Sequence, residues 1–352
     1  MKKIYKVIFI IVIALVIIIG ALAFYIKDRL EPPMTGIEEV ITIDEAESTR
    51  SVFRELEDVG IIKDSDIAYY YARFFLDTDL MAGDYLLSSD NTIDEIVNYI
   101  TDPSNAIQNT VMITFPEGDW LKDMASRLEE SLGVDAEGLL AYWNDEEVVR
   151  SYMSEYPFLT EDIFNNDTRY LLEGYLFPET YEFYRDSDFD TITRRFLDAT
   201  LTFYEDHLSS FEASELSIHE VFTLASIVQY EAAKLEDMRL IAGVFINRLA
   251  MDMPLQSSVT VCYAMDIDRN EDDWRSCEYN PDYDSPYNTY MYYGLTPGPI
   301  LNPGADALEA VLDPEESDYL YFMADVCGDG TVYYAKEYDE HQANVDRYLD
   351  CY

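Results

Sequence analysis

The chain has 352 residues, enough for two or three modest domains and a substantial core. Against 23 Lys and Arg stand 70 Asp and Glu, a formal net charge of -47. Such a field repels phosphate, which excludes nucleic acid as a partner and argues against a polybasic membrane face; the acidity reads as a solvated surface.

The first predicted element is a membrane anchor. Residues 7–26 form an apolar run about twenty residues long, the length at which a helix crosses a bilayer. Lys2, Lys3 and Lys6 precede it, whereas Lys27, Asp28, Arg29 and Glu31 beyond it are mixed in sign. The positive-inside rule therefore places residues 1–6 in the cytoplasm and the bulk of the chain outside. A cleaved signal peptide is the competing reading, but the run is long for one, and Gly20-Ala21-Leu22-Ala23 lies inside it. The expectation is an uncleaved, single-pass protein of the cell membrane.

Residues 27–39, with Pro32, Pro33 and Gly36, read as a linker. Strand, helix, helix, strand and helix signals then follow at 40–43, 48–59, 67–75, 83–87 and 92–100, with Gly60 ending the first helix and Thr92 capping the last. This alternation predicts a small α/β module over 40–108. A strand at 111–115 opens the remainder, 109–352, and is broken by Pro116-Glu117-Gly118. From Leu121 the pattern turns mostly helical as far as Phe211, and residues 270–284 read as an exposed acidic loop. The fold class expected is α+β: a transmembrane helix, the small module, and a larger mixed domain.

Cys262, Cys277, Cys327 and Cys351 all fall beyond the predicted membrane span, where disulfides are permitted. Four cysteines allow three pairings; Cys262 with Cys277 would close a short acidic loop and leave Cys327 for Cys351. No pair has C-x-x-C spacing and the histidines are His207, His219 and His341, so no metal centre is expected. Tyrosine is abundant, with 30 residues and clusters at 69–71, 287–293 and 333–338, where the rings suit stacking on sugars and core packing alike.

The candidate catalytic group lies in Leu224-Ala225-Ser226-Ile227-Val228-Gln229-Tyr230-Glu231. Leu224, Val228, Glu231 and Leu235 follow at steps of four, three and four, one face of a helix, so Glu231 is expected to point toward packing. A carboxyl in such surroundings tends to keep its proton near neutral pH, as a general acid acting on a glycosidic oxygen must.

Several strings recur with it in one order: Phe115-Pro116-Glu117-Gly118; Glu173-Gly174-Tyr175-Leu176-Phe177-Pro178-Glu179-Thr180-Tyr181; Val244-Phe245-Ile246-Asn247-Arg248-Leu249; Leu255-Gln256-Ser257; and Tyr287-Asn288-Thr289-Tyr290 with Gly294-Leu295-Thr296-Pro297-Gly298-Pro299-Ile300. In content and order the chain resembles the endolytic murein transglycosylases of the MltG (YceG-like) family from about residue 40 to its end. The resemblance implies a LysM-like module at 40–108 and a catalytic domain at 109–352 that cuts peptidoglycan strands, without a cofactor. It also implies Glu231 as the catalytic glutamate, and Gln256 and Asn288 as cleft residues that position the sugar. Glu173, Tyr175, Thr180, Tyr181 and Tyr290, from the same strings, complete the predicted substrate-binding set. The alternative for Glu173 is a buried partner of a backbone amide or an arginine. The partners implied are glycan strands, the membrane through the anchor, and the cell wall synthesis machinery.

The chain also departs from the family pattern. Leu-Gln-Ser is followed by Ser258-Val259-Thr260 where Asp-Pro-Thr is usual, and Gly330-Thr331-Val332-Tyr333-Tyr334 lacks the histidine of Gly-x-His-x-Phe, although Glu340-His341 still matches. Gln229 stands where relatives are often acidic.

The implied mechanism needs one carboxyl group. Glu231 would protonate the oxygen between N-acetylmuramic acid and N-acetylglucosamine, then take the proton of the muramic acid 6-hydroxyl as it closes a 1,6-anhydro ring. A two-carboxylate hydrolase, with Glu173 or Glu179 as second group, is the competing chemistry. A non-catalytic, membrane-tethered peptidoglycan-binding scaffold is the competing function. The chain has no G-x-S-x-G, P-loop, dinucleotide fingerprint or H-E-x-x-H.

Overall fold

A computed structural model describes residues 2–44, 47–107, 110–232, 234–267, 275–278, 280–325 and 328–349. The chain divides into two compact units, Met1–Asn109 and Thr110–Tyr352.

The first unit begins with helix α1 (Lys2–Leu30), whose stretch Ile11–Leu30 has a mean hydropathy of 2.3 and no buried share. That is length and composition enough to cross a bilayer. Strands β1 (Glu38–Ile43) and β2 (Gly83–Ser88) then pair antiparallel, with Val40 opposite Leu86 and Ile41 opposite Tyr85. The pleat sends Ile41, Ile43, Tyr85 and Leu87 into a core and leaves Val40 and Leu86 outside. Between the strands run α2 (Thr49–Asp58) and α3 (Ser65–Phe75), and α4 (Ile93–Ile100) follows β2. Each helix starts where its sequence supplies a cap: Ser48, Asp64 and Thr92 accept from the amides of Ser51, Ile67 and Glu95. At Thr92 the Glu95 carboxylate returns the bond to the Thr92 amide, a complete capping box.

In the second unit β3 (Thr110–Thr114) pairs antiparallel not with a neighbour but with β4 (Thr180–Tyr184). Between them lie α5 (Leu121–Leu132), α6 (Ala136–Trp143) and α7 (Glu146–Tyr152), and then a largely irregular stretch to Glu179. The expectation of mostly helix from Leu121 to Phe211 therefore fails in its middle third. There, buried aromatic side chains such as Tyr156, Phe158 and Tyr175 pack without a helical period. Helices α8 (Phe189–Asp206) and α9 (Leu208–Ala213) lead to α10 (Ile218–Glu231), which is buried at every position from Val221 to Val228. A helix apolar on all sides belongs inside. It packs on α11 (Leu235–Ala250) and α14 (Ala305–Leu312). Helices α12 (Ser258–Met265) and α13 (Arg275–Glu278) precede α14, and strands β5 (Tyr321–Ala324) and β6 (Val332–Ala335) with α15 (Tyr338–Tyr348) follow it.

Cys262 on α12 and Cys277 on α13 are bonded to each other, their Cα atoms 4.8 Å apart. Cys327 and Cys351 lie outside the described residues, as does part of the predicted acidic loop.

Candidate active site

Glu231 is the last residue of α10, the backbone is extended at Ala232, and α11 begins at Leu235. The proposed stripe through Leu224, Val228, Glu231 and Leu235 is thus not one helix face: Leu235 opens the next helix. What distinguishes Glu231 is position. A helix buried from Val221 to Val228 delivers its terminal side chain, half-buried, to the wall of a cavity of about 410 Å³. Gln256, Tyr290, Tyr321, Tyr338 and His341 share that wall. A larger cavity of about 700 Å³ lies between α11 and residues 314–319 and contains none of the predicted site residues.

The floor is organised by Arg248 of α11, 7 % exposed. Its Nε donates to the carbonyl of Leu320 at 2.6 Å and its Nη1 to that of Leu255 at 2.7 Å, which ties the entry of β5 to the turn before α12. Its guanidinium lies over the Tyr321 ring, 5.2 Å from the centroid. Burial lowers the proton affinity of this guanidinium from its usual value, and the negative charge available at Tyr321, Tyr290 and Glu231 opposes that. His341 stacks on the other partner of Arg248, the Tyr321 ring, at 5.5 Å. Burial and then the nearby Arg248 charge push the His341 imidazole below its ordinary value, toward the neutral form.

Gln256 precedes α12 with φ 51°, in the left-handed region that a non-glycine residue adopts only when its surroundings demand it. Its amide donates to the Thr289 carbonyl at 3.1 Å, and its side chain is exposed at the cavity. The next residue, Ser257, is buried and donates from Oγ to Glu231 Oε1 at 2.6 Å.

Of the predicted substrate-binding residues, only Gln256 and Tyr290 line this cavity. Asn288 is fully buried: its Nδ2 donates to the carbonyls of Pro281 and Tyr283, and its Oδ1 accepts from the Tyr290 amide at 2.9 Å. Its amide is spent on the backbone, so it shapes the loop carrying Tyr290 instead of meeting a sugar. Glu173 is 1 % exposed; Oε1 accepts from the Leu121 amide at 2.8 Å and Oε2 from the Tyr263 hydroxyl at 3.1 Å. Burial pushes its carboxyl up to about 8, with both hydrogen bonds pulling the other way. This is the structural alternative, and the cleft role is corrected accordingly. Tyr175 is buried with its hydroxyl on His219 Nδ1 at 2.6 Å, and Tyr181 is buried with its hydroxyl on the Phe177 carbonyl. Thr180 sits on the outer face of β4, its hydroxyl paired with that of Thr114. None of these four reaches the cavity of Glu231, and Glu179 with Tyr181 lines a separate one of about 370 Å³.

Gln229, two residues before Glu231, accepts from the Gly304 amide at 2.8 Å and donates toward Glu117 Oε2 at 3.4 Å. A second acid at 229 would face Glu117, whereas the amide can donate to it. Sequence reasoning missed Ser257, Arg248, Tyr321 and Tyr338 as site residues. Arg248, a cation among mostly apolar neighbours, and Tyr338, in the tyrosine cluster at 333–338, carried a signal.

The YceG-like family profile matches residues 41–347. The chain belongs to the YceG-like family. A Bacillus subtilis relative named endolytic murein transglycosylase is 33% identical over 337 residues, covering 95% of this chain and 91% of its own length. A Streptococcus pneumoniae relative of the same name is 35% identical over 341 residues, 93% of this chain, and the chain spans 61% of that relative's length. The crystal structure of a yceG-like protein from Listeria monocytogenes superposes with a TM-score of 0.61 at 34% identity, covering 88% of this chain and 99% of the other. Family membership thus extends over the first unit from β1 onward and over nearly all of the second.

Proposed function

We propose that this protein is a membrane-anchored lytic transglycosylase that cleaves peptidoglycan strands between N-acetylmuramic acid and N-acetylglucosamine, leaving 1,6-anhydro ends. One observation carries the reading: among the described residues lining its cavity, Glu231 is the only carboxylate. A two-carboxylate hydrolase needs its second group roughly 5–9.5 Å from the first across the scissile bond. Glu173 is enclosed in the core, and Glu179 lines another cavity. Intramolecular attack by the 6-hydroxyl needs only one residue that gives a proton and then takes one, which suits Glu231. The names of the relatives support the same substrate class.

Gln256 and Tyr290 would hold the sugar beside Glu231, with the exposed Tyr338 offering a ring to the pyranose. The β1–α2–α3–β2 order of the first unit supports a LysM-like, glycan-binding role for it. Helix α1 would anchor the chain with its N-terminus in the cytoplasm, since Lys2, Lys3 and Lys6 lie on that side of the apolar run. Protease added to intact protoplasts should then digest nearly all of the chain; survival of the bulk until lysis would reverse the orientation.

The decisive test is product chemistry. Wild type and Glu231→Gln are incubated with purified peptidoglycan and the muropeptides identified by mass spectrometry. Anhydro ends from wild type and none from the variant are expected. New reducing ends would point to hydrolysis, and no products from wild type would leave the scaffold reading.

A further inference from the structure

Glu231 ends α10, and a hydroxyl 26 residues further along the chain meets its side chain. Ser257 reaches Glu231 Oε1 from the residue immediately before α12. The seryl backbone is held on both sides: its amide donates to Thr289 Oγ1 at 3.1 Å, and its carbonyl accepts from Thr260 Oγ1 at 2.7 Å. Thr260 and Thr289 share a hydrogen bond of 3.0 Å, and all three residues are buried. The strained φ of Gln256 is what turns the chain so that residue 256 faces the cavity while residue 257 faces the carboxylate. A conformation this unfavourable, locked by a closed network of hydroxyls, marks a place where geometry matters more than local stability.

We propose that Ser257 is the positioning residue for Glu231: its hydroxyl fixes the rotamer of the carboxyl group and, by donating to the charged form, stabilises Glu231 as the base in the second half of the reaction. The inference rests on the catalytic reading of Glu231 given above. A hydroxyl donating to a carboxylate is a charge-assisted bond, of the stronger class, and its loss leaves the acid mobile and its charged form less favoured. Precise placement matters because the same group must reach the glycosidic oxygen and then the 6-hydroxyl.

The experiment compares full-length wild type, Ser257→Ala, Ser257→Cys and Glu231→Gln, in detergent, on un-cross-linked glycan strands, with kcat and KM measured as a function of pH. The other titratable groups facing this cavity are Arg248, His341, Tyr290, Tyr321 and Tyr338, and they are unchanged across the set. For Ser257→Ala kcat should fall about 10- to 100-fold with KM within about twofold. The alkaline limb of the profile should move to higher pH, because a general acid without its stabilising donor holds its proton longer. Ser257→Cys keeps the buried volume with a weaker donor, and should show the same displacement to a smaller degree. Wild-type kcat and profile in both serine variants overturn the inference, as does a loss confined to KM with the limb in place. Glu231→Gln separates the two levels. If that variant keeps normal anhydro yield, the catalytic reading itself falls; if it is inactive while the serine variants match wild type, only the role of Ser257 falls.

Discussion

Two glutamates from equally recognisable strings end in opposite circumstances. Glu173 is sealed in the core of the second unit with a backbone amide and a tyrosine hydroxyl on its oxygens, and Glu231 stands half-buried at a cavity with a serine on one oxygen. Both come from strings that carry the family resemblance, yet a specific string identifies a fold as readily as a reaction. Around Glu173 the fold is what the string encodes. Gly174 has φ 85° and lies against Pro299, and Asn302 Oδ1 receives both the Gly174 and Leu176 amides. The segment is a buried irregular connection, and side chains from elsewhere satisfy backbone groups that no helix or sheet pairs.

The comparison breaks most visibly in activity. Glu231→Gln should cost about two to four powers of ten in turnover, with thermal stability close to wild type, because the amide keeps the shape and cannot transfer the proton. A large drop in melting temperature in this variant would place Glu231 with Glu173, as a structural group.

Gly174→Ala should show the reverse pattern. A Cβ there would overlap the Pro299 ring, and the left-handed φ adds its own strain. Together the two effects amount to roughly 2–5 kcal/mol. Calorimetry should find the second unit severely destabilised. Near-wild-type melting would mean that this segment is not as tightly packed as the geometry indicates.

Glu173 itself makes a subtler test through pH. Its carboxyl titrates at about 8 in the folded chain, above the ordinary carboxylate range of the unfolded one, so the folded state holds the proton more tightly. Its stabilising contribution is therefore complete below about pH 4.5 and is lost as pH rises through 8. Glu173→Gln removes that slope: the variant should gain on wild type progressively between pH 5 and pH 9. Urea midpoints for the two proteins that stay parallel over this range would contradict the assignment.

Smallest of all should be the effect of Glu236→Gln. That residue is exposed in the first turn of α11, and both turnover and stability should remain within experimental scatter. A measurable loss of activity there would extend the site beyond the cavity wall described.

Local elements were legible along most of the chain, for identifiable reasons. The apolar run of α1, the cap at Thr92, and the strand signals of β1 and β2 are carried by adjacent residues, and the structure has them within a few positions. Periodicity failed where it was asked to cross a helix end. Leu235 has the right spacing to continue the α10 stripe, but the helix stops at Glu231 and spacing alone cannot see the stop. It failed again between Tyr152 and Thr180, where burial follows tertiary demand without a repeat.

By itself the sequence determined the anchor-like helix, the small α/β module and the family, and it singled out Glu231 as the carboxyl group to test. Tertiary structure alone decided which landmarks meet. The pairing of β3 with β4, the enclosure of Glu173 and Asn288, and the approach of Ser257 to Glu231 each join residues tens of positions apart or set a side chain among such neighbours. Side-chain chemistry and short-range period are properties of neighbours in the chain, whereas burial and the closing of a hydrogen bond depend on which distant surfaces the core brings into contact.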